Sequence, residues 1–218
     1  MKKIVMIHTS TVSLEELKRI CEELIPDVKI VNIIDDSLLE EVKCNNGITP
    51  LIIKRMCSYV QCADLLKPDL IFNQCSSVGE AFDVARKQTD VLTLKIDEPM
   101  AEKAVDLGTR IAVVATVSST LKPSCNLILN KAKEKNKNVI VDEYLVNGAL
   151  DILMKEKNQD KHNKLCLEVI NEVSKNHDVV VLAQGSMTVL IPYLNSIKIP
   201  VLTSPRMAIE KIKELIYE

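Results

Sequence analysis

The stretch DLIFNQCSSVGEAFD, residues 69–83, changes in its middle from an apolar to a polar sequence. A short, mostly apolar run leads into Asn73, Gln74 and Cys75, and two serines come next. Short apolar runs of this kind are typical of parallel strands that are buried on both faces. The residues after the serines have a pattern that favours a helix. The stretch therefore predicts a strand-to-helix connection with a thiol at the turn.

Similar apolar runs alternate with helical patterns along the whole chain. The predicted strands cover residues 4–7, 28–33, 70–72, 91–96, 111–115, 139–141, 179–183 and 201–203. Clear helical patterns cover residues 13–24, 49–65, 161–175 and 207–217. Ser13 and Glu16 have capping-box spacing at the first helix, and Thr49 precedes Pro50 at the second. This alternation predicts an α/β fold with parallel sheets.

An internal repeat organises these elements. DLIFNQCSSV (69–78) aligns with DVVVLAQGSM (178–187), so that Cys75 falls on Gln184. IVMIHTST (4–11) aligns with IAVVATVS (111–118), so that Thr9 falls on Thr116. Any two buried strands look somewhat alike, which is the alternative explanation. The matches keep their order and nearly keep their spacing, and this favours a duplication.

The repeat predicts two pseudo-symmetric, Rossmann-like α/β domains with mostly parallel sheets and an interdomain cleft. The N-terminal domain would comprise residues 1–97 plus 205–218 and carry Cys75. The C-terminal domain would comprise residues 98–204 and carry Gln184. Open parallel sheets bind ligands beyond the carboxyl ends of their strands. We therefore expect the ligand site at those ends.

The residues at the predicted strand ends are rich in hydroxyls, amides and free backbone N–H groups. They are His8, Thr9, Ser10, Gln74, Cys75, Ser76, Ser77, Thr116, Val117, Ser118, Gln184, Gly185 and Ser186. This set contains no lysine or arginine and no metal-binding cluster. Neutral donors and helix N-termini suit a small anion, most simply a carboxylate. The sequence therefore predicts a small carboxylate ligand.

Composition argues against several other classes of protein. The net charge is −2 and aromatic residues make up only 3% of the chain, so neither DNA nor RNA binding is expected. No apolar stretch is long enough for a membrane span or a signal peptide, so we expect a cytoplasmic protein. Neither a P-loop nor a G-x-G-x-x-G motif occurs, and no cysteine spacing suits zinc. We expect no cofactor and no metal.

Cys75 is the thiol with a distinctive setting among seven cysteines. Most cysteines in such a chain are small buried hydrophobes, and a disulfide framework is not expected. A thiol just before a helix N-terminus, however, feels the positive end of the dipole, which lowers its pKa. We expect Cys75 to act as a base or nucleophile. His8 is either a bonded strand-end histidine or a proton relay to Cys75.

Four other titratable residues are given no catalytic role. Asp97 and Glu98 precede a proline and are interpreted as turn residues close to the expected site. His162 and His177 fall in polar helix ends and are expected to be solvated.

The motifs together resemble the aspartate/glutamate/hydantoin racemase superfamily. NQCSSVGEA (73–81) is similar to the first cysteine motif of that superfamily, and the segment 96–120 to its central segment. VVVLAQGSM (179–187) stands where the second cysteine motif belongs, and PVLTSPRMAIE (200–210) resembles the segment after that motif. The resemblance covers nearly the whole chain. It implies the two-domain α/β fold, and from the family alone a homodimer.

The resemblance also implies a mechanism and a departure from it. In the superfamily, two cysteines remove and return a proton at the substrate α-carbon without a cofactor. Cys75 matches the first cysteine, but Gln184 occupies the second position, and an amide cannot titrate. The sequence thus predicts an isomerase-like enzyme that uses one thiol on a small carboxylate. The alternatives are a one-thiol decarboxylase or isomerase and a non-catalytic carboxylate-binding protein.

Overall fold

The structure, a computed structural model, describes residues 1–217 and divides into two compact units. Unit 1 comprises Met1–Glu98 together with the segment that begins at Pro205. Unit 2 comprises Pro99–Ser204. Each unit is built around its own parallel sheet, as the α/β prediction requires.

Unit 1 contains a four-stranded parallel sheet with the order β2-β1-β3-β4. Its strands are β1 (Lys3–His8), β2 (Lys29–Ile34), β3 (Leu70–Asn73) and β4 (Leu92–Lys95). Its helices are α1 (Leu14–Leu24), α2 (Ser37–Cys44), α3 (Pro50–Leu65), α4 (Gly79–Ala85) and the last helix of the chain, Ser204–Tyr217. Short 3-10 turns cover Ser76–Val78 and Arg86–Gln88.

The central strands of unit 1 are buried on both faces, because alternate side chains enter two different cores. Ile4 and Met6 of β1 pack with α1 and the last helix. Val5 and Ile7 pack on the opposite face with residues of α2, α3 and α4. A strand covered on both faces needs apolar residues at every position, and this explains its continuous apolar sequence.

Unit 2 repeats the same arrangement with the strand order β6-β5-β7-β8. Its strands are β5 (Arg110–Ala115), β6 (Ile140–Leu145), β7 (Val179–Leu182) and β8 (Val201–Thr203). Its helices are α6 (Ser118–Glu134), α7 (Ala149–Lys155) and α8 (Gln159–Val173), and a 3-10 segment covers Gly185–Tyr193. Helix α5 (Glu98–Leu107) begins at the end of unit 1, and the last helix is α9.

The two aspartates aligned by the repeat make the same contacts in both units. The N–H of Lys3 at the start of β1 donates to the Asp69 carboxylate at 2.8 Å, and the Asp69 N–H donates back to the Lys3 carbonyl. Asp178 makes the same reciprocal pair with Arg110 at the start of β5. Each aspartate therefore ties the start of one central strand to the next.

All eight predicted strands are present, with bounds shifted by a few residues. Thr49 caps α3 as predicted, since its hydroxyl accepts the Ile52 N–H at 3.3 Å. The capping box at Ser13 was a wrong prediction, because the Ser13 side chain makes no cap hydrogen bond. None of the helices in residues 1–217 is both long and apolar enough to span a membrane.

Candidate active site

The carboxyl ends of β1 and β3 bring together the predicted residues of unit 1. Ile7 pairs with Asn73 in the sheet, and the Gln74 N–H donates to the Ile7 carbonyl at 3.0 Å. His8 and Thr9 follow directly on one strand, and Gln74 and Cys75 on the other. Beside them, β4 ends next to β3, and the Ile96 N–H donates to the Asn73 carbonyl at 2.9 Å.

Cys75 lies in extended backbone immediately before the 3-10 turn Ser76–Val78, and it is partly exposed. The backbone N–H groups of Ser77 and Val78 and the Thr9 hydroxyl stabilise its thiolate. Burial of the sulfur outweighs these contacts, so the pKa of the Cys75 thiol lies above its ordinary value. The predicted lowering of this pKa was wrong: the donors exist, but desolvation dominates.

His8 is buried, and its two ring nitrogens differ in their surroundings. Nε2 lies 2.9 Å from Oδ1 of Asn32, and since that oxygen can only accept, we assign the proton to Nε2. Nδ1 is then an acceptor, and it has no hydrogen-bond partner. Burial lowers the pKa of His8, although Asn32 and Gln74 oppose this. Burial therefore favours a neutral His8 ring, whose Nδ1 lies at the end of β1 without a hydrogen-bond partner.

Unpartnered buried polar atoms concentrate at this edge of the unit 1 sheet. Among the described residues, seven buried side-chain polar atoms lack a hydrogen-bond partner. Five of them belong to residues at or next to the ends of β1, β3 and β4: His8 Nδ1, Asn73 Oδ1, Gln74 Oε1, Ser77 Oγ and Asp97 Oδ1. Buried polar atoms are normally paired, so this concentration marks a place where a ligand would supply partners.

The structure adds a lysine at a strand end that the predicted set of site residues did not include. Lys95 is the last residue of β4 and is buried, with Nζ 2.7 Å from the Asp83 carboxylate. Its chain packs against Gly79, where an added Cβ would lie 3.6 Å from Lys95 Cδ. The charge of Lys95 is thus compensated within unit 1. A single lysine in the apolar run VLTLKI was the sequence signal for it.

The strand ends of unit 2 are joined by the side chain of Gln184. Its Oε1 accepts hydrogen bonds from the Thr116 N–H at 2.6 Å, the Thr116 hydroxyl at 3.1 Å and the Val117 N–H at 3.3 Å. Because all three partners donate, this atom is the amide oxygen. The hydroxyl and N–H of Thr116 and the N–H of Val117, which were expected to bind an anion, are therefore already bound to Gln184.

The remaining predicted site residues of unit 2 lie at the start of α6 and of the 3-10 segment after β7. Ser118 is the first residue of α6, and Gly185 and Ser186 open the 3-10 segment Gly185–Tyr193. The structure adds the buried hydroxyls of Ser119 and Ser124 in α6, which lack hydrogen-bond partners. In the described part of the chain, no group of three or more His, Cys, Asp or Glu side chains is placed to hold a metal ion.

Comparison with known proteins identifies the family. The family model of Asp/Glu/hydantoin racemases matches residues 4–212, so the chain belongs to this family. No curated protein matches the chain.

Solved structures share the fold at low sequence identity. A putative Asp/Glu racemase from Yersinia pestis is 12% identical with a TM-score of 0.77, and the match covers 100% of both chains. An aspartate racemase homologue from Pyrococcus horikoshii is 17% identical with a TM-score of 0.71, again over 100% of both. An allantoin racemase from Klebsiella pneumoniae is 15% identical with a TM-score of 0.67, over 99% of this chain and 88% of that one.

Proposed function

We propose that this protein is a cofactor-independent enzyme of isomerase type that moves a proton at a carbon atom of a small carboxylate through Cys75. The observation that supports this most is the setting of the thiol. It is partly exposed, and it interacts with the N–H groups of Ser77 and Val78 and with the Thr9 hydroxyl. Buried polar atoms without partners belong to residues at the same strand ends. A purely structural cysteine would require none of these contacts.

The resting protonation state decides what Cys75 does first. Because burial raises the pKa of this thiol, it is protonated at neutral pH and is a proton donor. To take the α-proton, it must first lose its own proton, and we assign the lone pair of His8 Nδ1 at the neighbouring strand end as the acceptor. The thiol that forms when Cys75 takes the α-proton then acts as an acid and returns a proton to the carbanion. Ser77 and Thr9 then stabilise the thiolate that remains.

The substrate is held by groups at the ends of the strands. We assign substrate binding in unit 1 to Thr9, Ser10, Gln74, Ser76 and Ser77. In unit 2, we assign it to Ser118, Gly185 and Ser186, with Gln184 at the position of the second cysteine. Thr116 acts through Gln184, since its hydroxyl and N–H are both bonded to that side chain.

The Gln184 contacts also favour a second candidate reaction. A side chain that accepts three hydrogen bonds and cannot titrate offers no second acid or base at this position. A reaction that needs one proton donor, such as decarboxylation followed by protonation from Cys75, is compatible with this arrangement. Loss of the second thiol would equally leave a protein that binds a carboxylate without turnover.

A panel experiment separates these candidates. Aspartate, glutamate, hydantoin and malonate are incubated with the protein in heavy water and followed by NMR. Deuterium incorporation at the α-carbon supports proton transfer, and loss of carbon dioxide supports decarboxylation. Binding by calorimetry without either change would support the carboxylate-binding protein and would contradict the proposed enzyme.

A further inference from the structure

The carboxyl group of Asp97 is a buried acid that the proposed reaction does not yet use. Asp97 follows β4 and is only 4% exposed. The Ser76 hydroxyl and the backbone N–H of Asp97 interact with the Asp97 carboxyl group, yet Oδ1 of Asp97 has no hydrogen-bond partner. Ser76 is the residue directly after Cys75, so the Asp97 carboxyl group lies beside the turn that carries the thiol.

Glu98, the next residue, provides a direct contrast. Its two carboxylate oxygens accept hydrogen bonds from the Lys95 N–H at 2.9 Å and from Arg86 Nη1 at 2.7 Å. Arg86 in turn is fixed by Thr93, through its hydroxyl at 2.9 Å and its carbonyl at 3.0 Å. Both oxygens of the Glu98 carboxylate are therefore held by structural hydrogen bonds. Asp97 stands in the same predicted turn, but one of its carboxyl oxygens has no hydrogen-bond partner.

The surroundings of Asp97 favour the neutral form of its carboxyl group. Burial is the largest effect and raises its pKa, and the neighbouring charge of Glu98 raises it further. Lys95 and the Ser76 hydroxyl oppose this, but the Lys95 ammonium is shared with Asp83. The other titratable groups at the strand ends are Cys75 and His8, and burial disfavours the charged form of both.

A neutral carboxyl group changes what the site can offer a substrate. Proton removal next to a carboxylate builds a second negative charge on the carboxylate oxygens, and a donor must stabilise it. In unit 1 the Lys95 charge is already compensated by Asp83. A protonated carboxyl group with an unpartnered oxygen at this edge of the sheet is a strong donor that would not repel an anion.

We propose that Asp97 is a further catalytic residue, whose protonated carboxyl group donates a hydrogen bond to a carboxylate oxygen of the substrate. This rests on the proposed function. Once the Cys75 thiol has given its proton to His8 Nδ1, its thiolate takes the α-proton and the C–H electron pair moves into the enediolate. The hydrogen bond from the Asp97 O–H to the developing oxyanion then becomes stronger. The proton stays on Asp97 or passes to the substrate oxygen and returns, so charge and atoms balance.

The first test is the protonation state, which requires no substrate. Protein labelled with ¹³C at aspartate carboxyl groups is titrated by NMR, and Asp97→Asn identifies the signal. We expect the Asp97 carboxyl group to remain neutral at pH 7. An Asp97 signal that is already ionised at pH 7 would overturn the proposal, while α-hydrogen exchange that depends on Cys75 would leave the proposed function in place.

The second test is binding of succinate by calorimetry between pH 6 and 9. In the wild type, affinity should fall as pH rises through the pKa of Asp97, since the carboxylate form repels the ligand. Asp97→Asn keeps an N–H donor without a titrating group, so its affinity should not fall in this range. Affinity in the control Glu98→Gln should still fall with pH, but at a lower pH than in the wild type, because the Glu98 charge that helps to raise the Asp97 pKa is removed. Thermal unfolding checks that this variant is folded.

The outcomes separate the two proposals. An Asp97→Asn variant with the wild-type pH dependence, or a wild type that binds no succinate at any pH, would overturn the role of Asp97. Asp97→Ala should also lower the α-hydrogen exchange rate by about 10²–10³-fold, the usual loss for one oxyanion donor. An exchange rate within a few-fold of wild type would contradict the catalytic role while leaving Cys75 untouched.

Discussion

The backbone N–H of Thr116 donates to Oε1 of Gln184 at 2.6 Å. The residue at the second-cysteine position, which follows β7, is therefore hydrogen-bonded to the turn after β5. The Thr116 hydroxyl contributes a further bond at 3.1 Å. Replacing Thr116 by Val removes the hydroxyl but keeps the shape and the N–H. We expect the free energy of unfolding to fall by about 0.5–1.5 kcal/mol in chemical denaturation. A loss of carboxylate affinity without a loss of stability would instead assign Thr116 to the ligand.

The reactivity of Cys75 should reveal its raised pKa. At pH 7 only a small fraction is thiolate, so alkylation by iodoacetamide should be slow and should rise about tenfold per pH unit well beyond pH 9. Mass spectrometry separates this site from Cys44 and Cys62, which are exposed and serve as accessible reference thiols. Thr9→Val should slow the reaction further, because it removes a group that stabilises the thiolate. Rapid alkylation at pH 7 would contradict the raised pKa.

At Gly108, the side chain of Asp178 leaves no room for a Cβ atom. An added Cβ would lie 2.4 Å from the Cβ of Asp178, which holds the start of β5. Gly108→Ala should therefore destabilise the protein by about 1–3 kcal/mol, in the usual range for overpacking. Denaturant unfolding measures the change. Wild-type stability would mean that Asp178 is free to move away.

The repeat could be predicted because it depends on local patterns. Apolar runs buried on both faces reveal the strands, and the aligned Asp69 and Asp178 perform the same task at the strand starts. Helices α2, α5, α6 and α7 were not predicted. In α6 the weak signal has a cause, since the sequence SSTLKPS places Pro123 inside the helix and few strong helix formers in its first turns.

The site could be predicted only in outline, because burial depends on the whole fold. Position alone suggested a lowered pKa for Cys75, whereas its desolvation raises it. His162 and His177 look solvated in the sequence, yet both are buried in unit 2, and His177 contacts the Val173 carbonyl at 2.7 Å and Asp142 at 2.9 Å. Neighbouring residues such as Asp97 and Glu98 differ only through their three-dimensional partners.

The amide of Gln184 sets an expectation for stereochemistry. With Cys75 as the thiol that exchanges protons, deuterium from heavy water should enter the α-carbon with retention, and net inversion should be very slow. Gln184→Cys places a thiol where the family carries its second cysteine and should raise inversion specifically. Chiral chromatography together with NMR measures both rates. Fast racemisation by the wild type would contradict this assignment and would require another acid or base.

The most direct measurement of the central claim is α-hydrogen exchange in heavy water by the wild type, Cys75→Ala and the matched control Cys62→Ala. With the best substrate of the panel, we expect exchange by the wild type and by Cys62→Ala at similar rates. Exchange by Cys75→Ala should be lost, by at least about 10²-fold, which is the smallest usual contribution of a positioned acid or base. Exchange by Cys75→Ala at the wild-type rate would contradict the assignment of proton transfer to Cys75.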